Sequence, residues 1–278
     1  MTGSSRRSSS LRRRPLNTPS VERLHSTLHI ETEIAVLEKP DFPDSEIVDC
    51  LRDEYGLQVV QVAFLPLGAD VNTAVYRVAD YATPYFVKLR RGVFDETTVV
   101  VPKLLHEQDV RQVIPPLATR SGQLWATVGD FKLTVSPFVE GRSGFEIGLS
   151  DWHWVEFGRA LKGVHTAALP PALQNRIPRE TFSPHWRAVV RRFQQWVEEA
   201  AFADPVAAEL AAFLKAKREV ISQLVARAER LAAILQAQSL PFILCHADIH
   251  AGNLLIAAND ALYIVDWDTL TIAPKSAI

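Results

Sequence analysis

The chain has 278 residues, 47% apolar and 22% charged, with a formal net charge of −2; this is the composition of an ordinary soluble protein and excludes disorder throughout. Two cysteines, Cys50 and Cys245, are too few for a disulfide framework or a cysteine-based zinc site, so a reducing, cytoplasmic location is expected, and no uncharged apolar run approaches the ~18 residues that cross a bilayer. Without Arg6, Arg7, Arg12, Arg13 and Arg14, 25 basic residues remain against 32 acidic ones, a net of −7 that disfavours nucleic acid and suits a small cationic substrate.

Residues 1–40 join a Ser/Arg block to Pro15, Pro19 and Pro40 without apolar periodicity, and read as a disordered extension. A transit peptide, a nucleic-acid-binding arm or a translation start placed too far upstream are its other readings. From Ser45 a short helix (Ile47, Val48, Leu51) leads into strand-like residues 59–65, 73–78 and 85–89, separated by turns at Gly68-Ala69-Asp70 and residues 80–84. A helix over 96–107 follows, then a hairpin of residues 123–128 and 131–136 about Gly129-Asp130. Residues 45–138 therefore read as an α+β lobe, a five-stranded antiparallel sheet with one helix inserted after the third strand.

Residues 139–278 form a second, mainly helical lobe. Behind Ser150 and Asp151, Trp154, Phe157, Leu161 and Val164 recur at helical spacing; Trp186, Val189, Val190, Phe193 and Val197 do so behind Ser183-Pro184. A third helix starts at Asp204-Pro205 and runs beyond Leu231, with Leu210, Phe213, Ile221, Leu224 and Val225 on its inner side. The same spacing predicts that Trp152, Trp154, Trp186 and Trp196 pack in cores and interfaces. From Phe242 onward, short apolar runs alternate with polar loops.

Those loops hold His246-Ala247-Asp248-Ile249-His250-Ala251-Gly252-Asn253 and, after a turn at Asn259-Asp260, Ile264-Val265-Asp266-Trp267-Asp268. Phosphoryl transfer needs a carboxylate to accept the substrate hydroxyl proton, and an Asn and a second carboxylate as hard oxygen ligands for magnesium. Asp248, Asn253 and Asp266 fill those places in order. A lone Asp at a strand end is more often a loop cap; three such groups at these spacings are not. For His250 a hydrogen-bonding role behind the site is the better reading than a metal ligand. A zinc or hydrolase cluster of His246, Asp248 and His250 lacks any further ligand motif.

This wording resembles the aminoglycoside phosphotransferase family, whose two-lobed protein-kinase-like fold carries an H-x-D-x-x-x-x-N catalytic loop and a following metal Asp. The resemblance spans about residues 45–275. Residues 245–255 (CHADIHAGNLL), 263–268 (YIVDWD) and 273–275 (APK) are similar to its spectinomycin-phosphorylating branch. It implies that Asp248 is the catalytic base, that His246 braces the loop, that Asn253 and Asp266 bind Mg2+, and that Asp268 faces the substrate's amines. Lys88, in the strand Tyr85-Phe86-Val87-Lys88-Leu89, becomes the lysine that pairs with the nucleotide phosphates. Its partner is expected at Glu96 rather than Glu107. Gly68 and Asn72 bound the loop over the phosphates, although a plain hairpin turn explains that stretch equally well. Ser136 and Phe138 lie at the hinge, where backbone groups would meet adenine. The implied activity is ATP- (or GTP-) dependent O-phosphorylation of an aminocyclitol or aminoglycoside antibiotic, with consequent resistance. A kinase of an amino alcohol or sugar and a non-catalytic nucleotide-binding remnant are the alternatives. The remnant draws on one feature: family members continue further past the metal Asp, so a chain ending ten residues after Asp268 is expected to be truncated at its C-terminus.

Overall fold

A computed structural model of the chain describes residues 38–68 and 70–275. Most of the expected N-terminal extension, and Ala69 in the first turn, lie outside the described residues. The chain opens with α1 (Asp44–Cys50), which continues through a wider turn to Tyr55, and β1 (Gln61–Leu65). Next come β2 (Thr73–Ala79), β3 (Pro84–Arg91), α2 (Thr97–Glu107), β4 (Ala126–Val128) and β5 (Phe131–Pro137). These five strands form one antiparallel sheet in the order β1-β2-β3-β5-β4. The sheet and the helix inserted after its third strand are as the hairpin pattern predicts. Short polar side chains close the turns: Asp80 Oδ1 accepts from the Ala82 and Thr83 amides at 3.1 and 2.8 Å.

Alternation along the strands divides the sheet into two faces. Tyr76, Val78, Val87, Leu89, Leu133 and Val135 are buried with Ile47 and Leu51 of α1, forming the first core. Lys88 and Arg90 are carried on the other face. The inner side of α2, with Val101 and Leu105, joins the core of the second lobe instead, so this helix links the two.

The second lobe contains β6 (Gly141–Ser143), α3 (Asp151–Thr166), α4 (Pro171–Gln174), α5 (His185–Glu199), α6 (Pro205–Ala216) and α7 (Arg218–Gln236). It ends in β7 (Phe242–Cys245), β8 (Leu254–Ala257), β9 (Leu262–Ile264) and β10 (Thr271–Pro274). Ser150 caps α3 through the His153 amide and ring, and Asp204 caps α6 by accepting from Ala207 N at 2.8 Å. The strands assemble as β6-β8-β9 and β10-β7, placing the polar loops after β7 and β9 side by side.

Two sequence expectations are corrected here. The long third helix is two helices broken at Lys217 (φ −98°, ψ 3°), so that α6 and α7 both pack on α5. No Gly or Pro marks the break, so the sequence carries no local signal for it. Leu210, Phe213 and Leu224, expected on the inner side, are more than half exposed, and so are Trp152, Trp154, Trp186 and Trp196. Helical spacing selects a shared face but does not supply a neighbour to cover it. Among the described residues, no helix is long and apolar enough to cross a membrane.

Candidate active site

His246 follows β7 and is almost fully buried. Its Nε2–H donates to the Val265 carbonyl at 2.9 Å, which fixes the tautomer, and its ring meets Trp267 edge-on at 4.7 Å. Burial holds its pKa below the ordinary imidazole value, although the Val265 carbonyl and the carboxylates of Asp266 and Asp248 pull the other way. The ring therefore stays neutral and acts as a strut between the two polar loops. Thr269 Oγ1 adds a second tie by donating to the His246 carbonyl at 2.9 Å.

Ala247 then takes a left-handed conformation (φ 65°), which turns the chain so that Asp248 leaves the buried side. The Asp248 side chain is half exposed, with Oδ2 4.0 Å from His250 Nε2. His250 Nδ1 accepts from the Gly252 amide at 3.0 Å, which leaves the imidazole proton on Nε2, facing Asp248. The His250 ring stacks on Phe145 with centroids 5.6 Å apart. Asn253 is buried, donates from Nδ2 to the Asp248 carbonyl at 2.9 Å and accepts from Val265 N–H through its own carbonyl at 3.0 Å. That last bond joins the loop after β7 to the residue before Asp266, and Asp266 is left-handed at φ 62° and half exposed.

This donor set suits magnesium. The amide nitrogen of Asn253 is spent on Asp248, so its oxygen is the atom left for a cation, and Asp266 supplies a carboxylate one residue beyond the Val265 contact. Two hard oxygens are what magnesium takes from a protein when phosphate and water complete its shell.

From the first lobe, Lys88 Nζ reaches Asp268 Oδ2 at 2.6 Å and Asp266 Oδ1 at 3.7 Å. The structure does not bring Lys88 to Glu96, its expected partner. Glu96 precedes the first turn of α2, and its carboxylate meets Arg176 of the second lobe at 2.6 Å. Asp268, expected to face substrate amines, lies instead between Lys88 and Arg90, whose Nη1 is 3.2 Å away. In the turn before β2, Gly68 is left-handed at φ 95°. Asp70 Oδ1 accepts there from the Asn72 amide at 2.9 Å and side chain at 3.2 Å, contacts that hold its carboxyl below the usual range. At the hinge, Ser136 pairs with Phe86 across the sheet, and the Phe138 amide donates to the Pro84 carbonyl at 3.1 Å. That amide is thus committed to the protein. Arg90, Thr269 and Phe145 escaped the sequence reading, which had Asp70 only as a turn residue; of the three, only Arg90 left a signal, two residues from Lys88 on a strand.

A neutral histidine strut, an exposed carboxylate held beside a cation-competent Asn/Asp pair, and a strand lysine reaching the same loops define a kinase-like phosphotransferase. The chain matches the profile of the phosphotransferase enzyme family, APH, over residues 63–275, and belongs to that family. It is accordingly a phosphotransferase with an alcohol group as acceptor. Among solved structures it is similar to spectinomycin phosphotransferase APH(9)-Ia in complex with ADP and spectinomycin, at 31% identity and a TM-score of 0.77, covering 83% of this chain and 70% of that one. The AMP-bound complex of the same enzyme matches at 29% identity and a TM-score of 0.75, covering 83% and 71%. An aminoglycoside phosphotransferase from Alicyclobacillus acidocaldarius subsp. acidocaldarius, 18% identical with a TM-score of 0.58 over 86% and 70% of the two chains, shares the fold. A search of curated protein sequences returns no match.

Proposed function

We propose that the protein is a magnesium-requiring kinase that transfers the γ-phosphate of ATP (or GTP) to a hydroxyl of an aminocyclitol or aminoglycoside of the spectinomycin kind, inactivating the antibiotic in the cytoplasm. The observation that carries the reading is the hydrogen bond from Asn253 to the backbone of Asp248, with Asp266 and Lys88 at the same place. Asp248 takes the proton of the attacking hydroxyl, and its exposure leaves it reachable by an acceptor. Asn253 and Asp266 hold magnesium, which neutralises charge on the phosphates when bound. Lys88 meets those phosphates, residues 68–72 cover them, and the hinge at Ser136 and Phe138 borders the base. The 45–138 and 139–278 lobes divide the labour between nucleotide and acceptor. The acidic excess of the chain favours encounter with a cationic acceptor.

The decisive experiment is ADP release from ATP in the presence of spectinomycin, other aminoglycosides, ethanolamine and aminopropanol. Turnover confined to the antibiotics, and lost in Asp248→Asn, supports the reading. Turnover with the amino alcohols alone assigns a metabolite kinase. Nucleotide binding with no turnover on any acceptor assigns a non-catalytic remnant.

A further inference from the structure

Lys88 and Arg90 stand two residues apart on β3, so the pleat sends both side chains to the face opposite buried Val87 and Leu89. Their charges converge on one atom: Asp268 Oδ2 lies 2.6 Å from Lys88 Nζ and 3.2 Å from Arg90 Nη1. The same Arg90 nitrogen is 3.4 Å from Asp70 Oδ2 in the turn before β2, while Nε donates to the Val93 carbonyl at 3.1 Å and anchors the guanidinium from behind. Two cations on one carboxylate oxygen exceed what a single ion pair needs. The side chains of Lys88, Arg90 and Asp268 are 22%, 31% and 31% exposed, open enough to exchange partners. A phosphate oxygen presents the same charge and acceptor geometry as this carboxylate oxygen, and a polyphosphate presents several.

Resting on the nucleotide reading above, we propose that Arg90 is a second phosphate-binding cation beside Lys88, and that Asp268 competes with the nucleotide's phosphates for both. The Val93 contact keeps the guanidinium in place when its other nitrogens change partner. Through Asp70, Arg90 also links the phosphates to the turn that would cover them, whereas the second carboxylate that Lys88 reaches is Asp266.

The test is calorimetric titration of ADP and of adenosine, both in chelator, into the full chain and into Arg90→Ala, Arg90→Lys, Asp268→Asn and Arg91→Ala. Arg91 stacks over Phe131 at 4.7 Å on the other face, so its removal controls for net charge. Losing a charged hydrogen bond should weaken ADP about tenfold in Arg90→Ala, with part of the affinity restored by lysine. Asp268→Asn should tighten ADP severalfold, Arg91→Ala should be silent, and adenosine should bind alike throughout. If Arg90→Ala binds ADP within twofold of the parent, or loses adenosine as much as ADP, or if Asp268→Asn binds ADP no tighter, the proposal fails. Such failures in a parent that binds ADP overturn this inference alone; a parent that binds no ADP overturns the nucleotide reading and this inference with it.

Discussion

Replacing His246 tests whether the two polar loops are held by the strut between them. Alanine removes three things: the 2.9 Å bond to the Val265 carbonyl, the edge contact with Trp267, and the volume of a ring that is 2% exposed. Leaving a buried carbonyl unpaired costs about 1–3 kcal/mol, and deleting a buried ring costs about 3–5 kcal/mol in the aromatic series. One effect runs the other way, because Nδ1 of His246 is buried without a partner and its removal relieves roughly 1 kcal/mol of desolvation. The alanine variant should therefore lose about 3–7 kcal/mol. Phenylalanine keeps the ring and relieves Nδ1 but still orphans Val265, so it should lose only about 1 kcal/mol. Urea midpoints followed by tryptophan fluorescence measure both, Trp267 being the contact that changes. Turnover should fall about 100-fold in the alanine variant, since an Ångström of misplacement between Asp248 and Asp266 is enough for that. An alanine variant that unfolds within about 1 kcal/mol of the parent and retains its rate refutes the strut.

Asp248→Asn should nearly abolish turnover with ADP affinity unchanged within a few fold, read by ADP release and calorimetry. Asn253→Ala and Asp266→Ala should each weaken nucleotide binding only when magnesium is present, whereas Lys88→Ala should weaken it with or without the metal, as parallel titrations in magnesium and in chelator would show. At Gly141 an added Cβ would lie 2.5 Å from the Ile256 carbonyl, so Gly141→Ala should cost about 2–4 kcal/mol by denaturant unfolding, while Gly148→Ala, with no atom within 4 Å, should be neutral. Ala247→Gly should leave stability within about 0.5 kcal/mol, because relief of left-handed strain and loss of backbone restriction are of similar size; it should slow turnover severalfold with the nucleotide KM unchanged.

Most of the first lobe was legible because β1-β2, β2-β3 and β4-β5 are hairpins whose turns carry their own signals, as at Asp80 and Gly129, while β3 meets β5 across the inserted helix. β6 and β10 were not, for they are three and four residues long and exist only by pairing with β8 and β7 across more than a hundred residues and about thirty, respectively. The loop of residues 246–253 was readable as one contiguous motif, because its members lie close in sequence. Lys88 was readable as a residue but not as a pair. Asp268 lies 180 positions away, and Glu96 lost the competition because it sits where α2 begins, within reach of Arg176. The tryptophans of the second lobe show the same limit from the other side. Periodicity placed them on helix faces, but exposure of 51–74% at Trp152, Trp154, Trp186 and Trp196 depends on what else packs there, which no local pattern encodes.

Backbone strain marks the place where the two loops meet. Ala247 and Asp266, neither of them glycine, are both left-handed, at φ 65° and 62°, each one residue from a member of the His246–Val265 hydrogen bond. Each such residue costs about 1 kcal/mol or more relative to an ordinary conformation. The compensation is equally local: Val265 N–H to Asn253, Nε2 of His246 to Val265, and Thr269 to the His246 carbonyl. Glycine at either position would remove the steric cost, but it would widen the range of directions in which Asp248 or the Asp266 backbone can point. A chain that keeps a Cβ at both turns accepts a modest loss of stability and restricts those directions. The strained turns belong to positioning the carboxylates, and the buried histidine between them keeps the two turns in register.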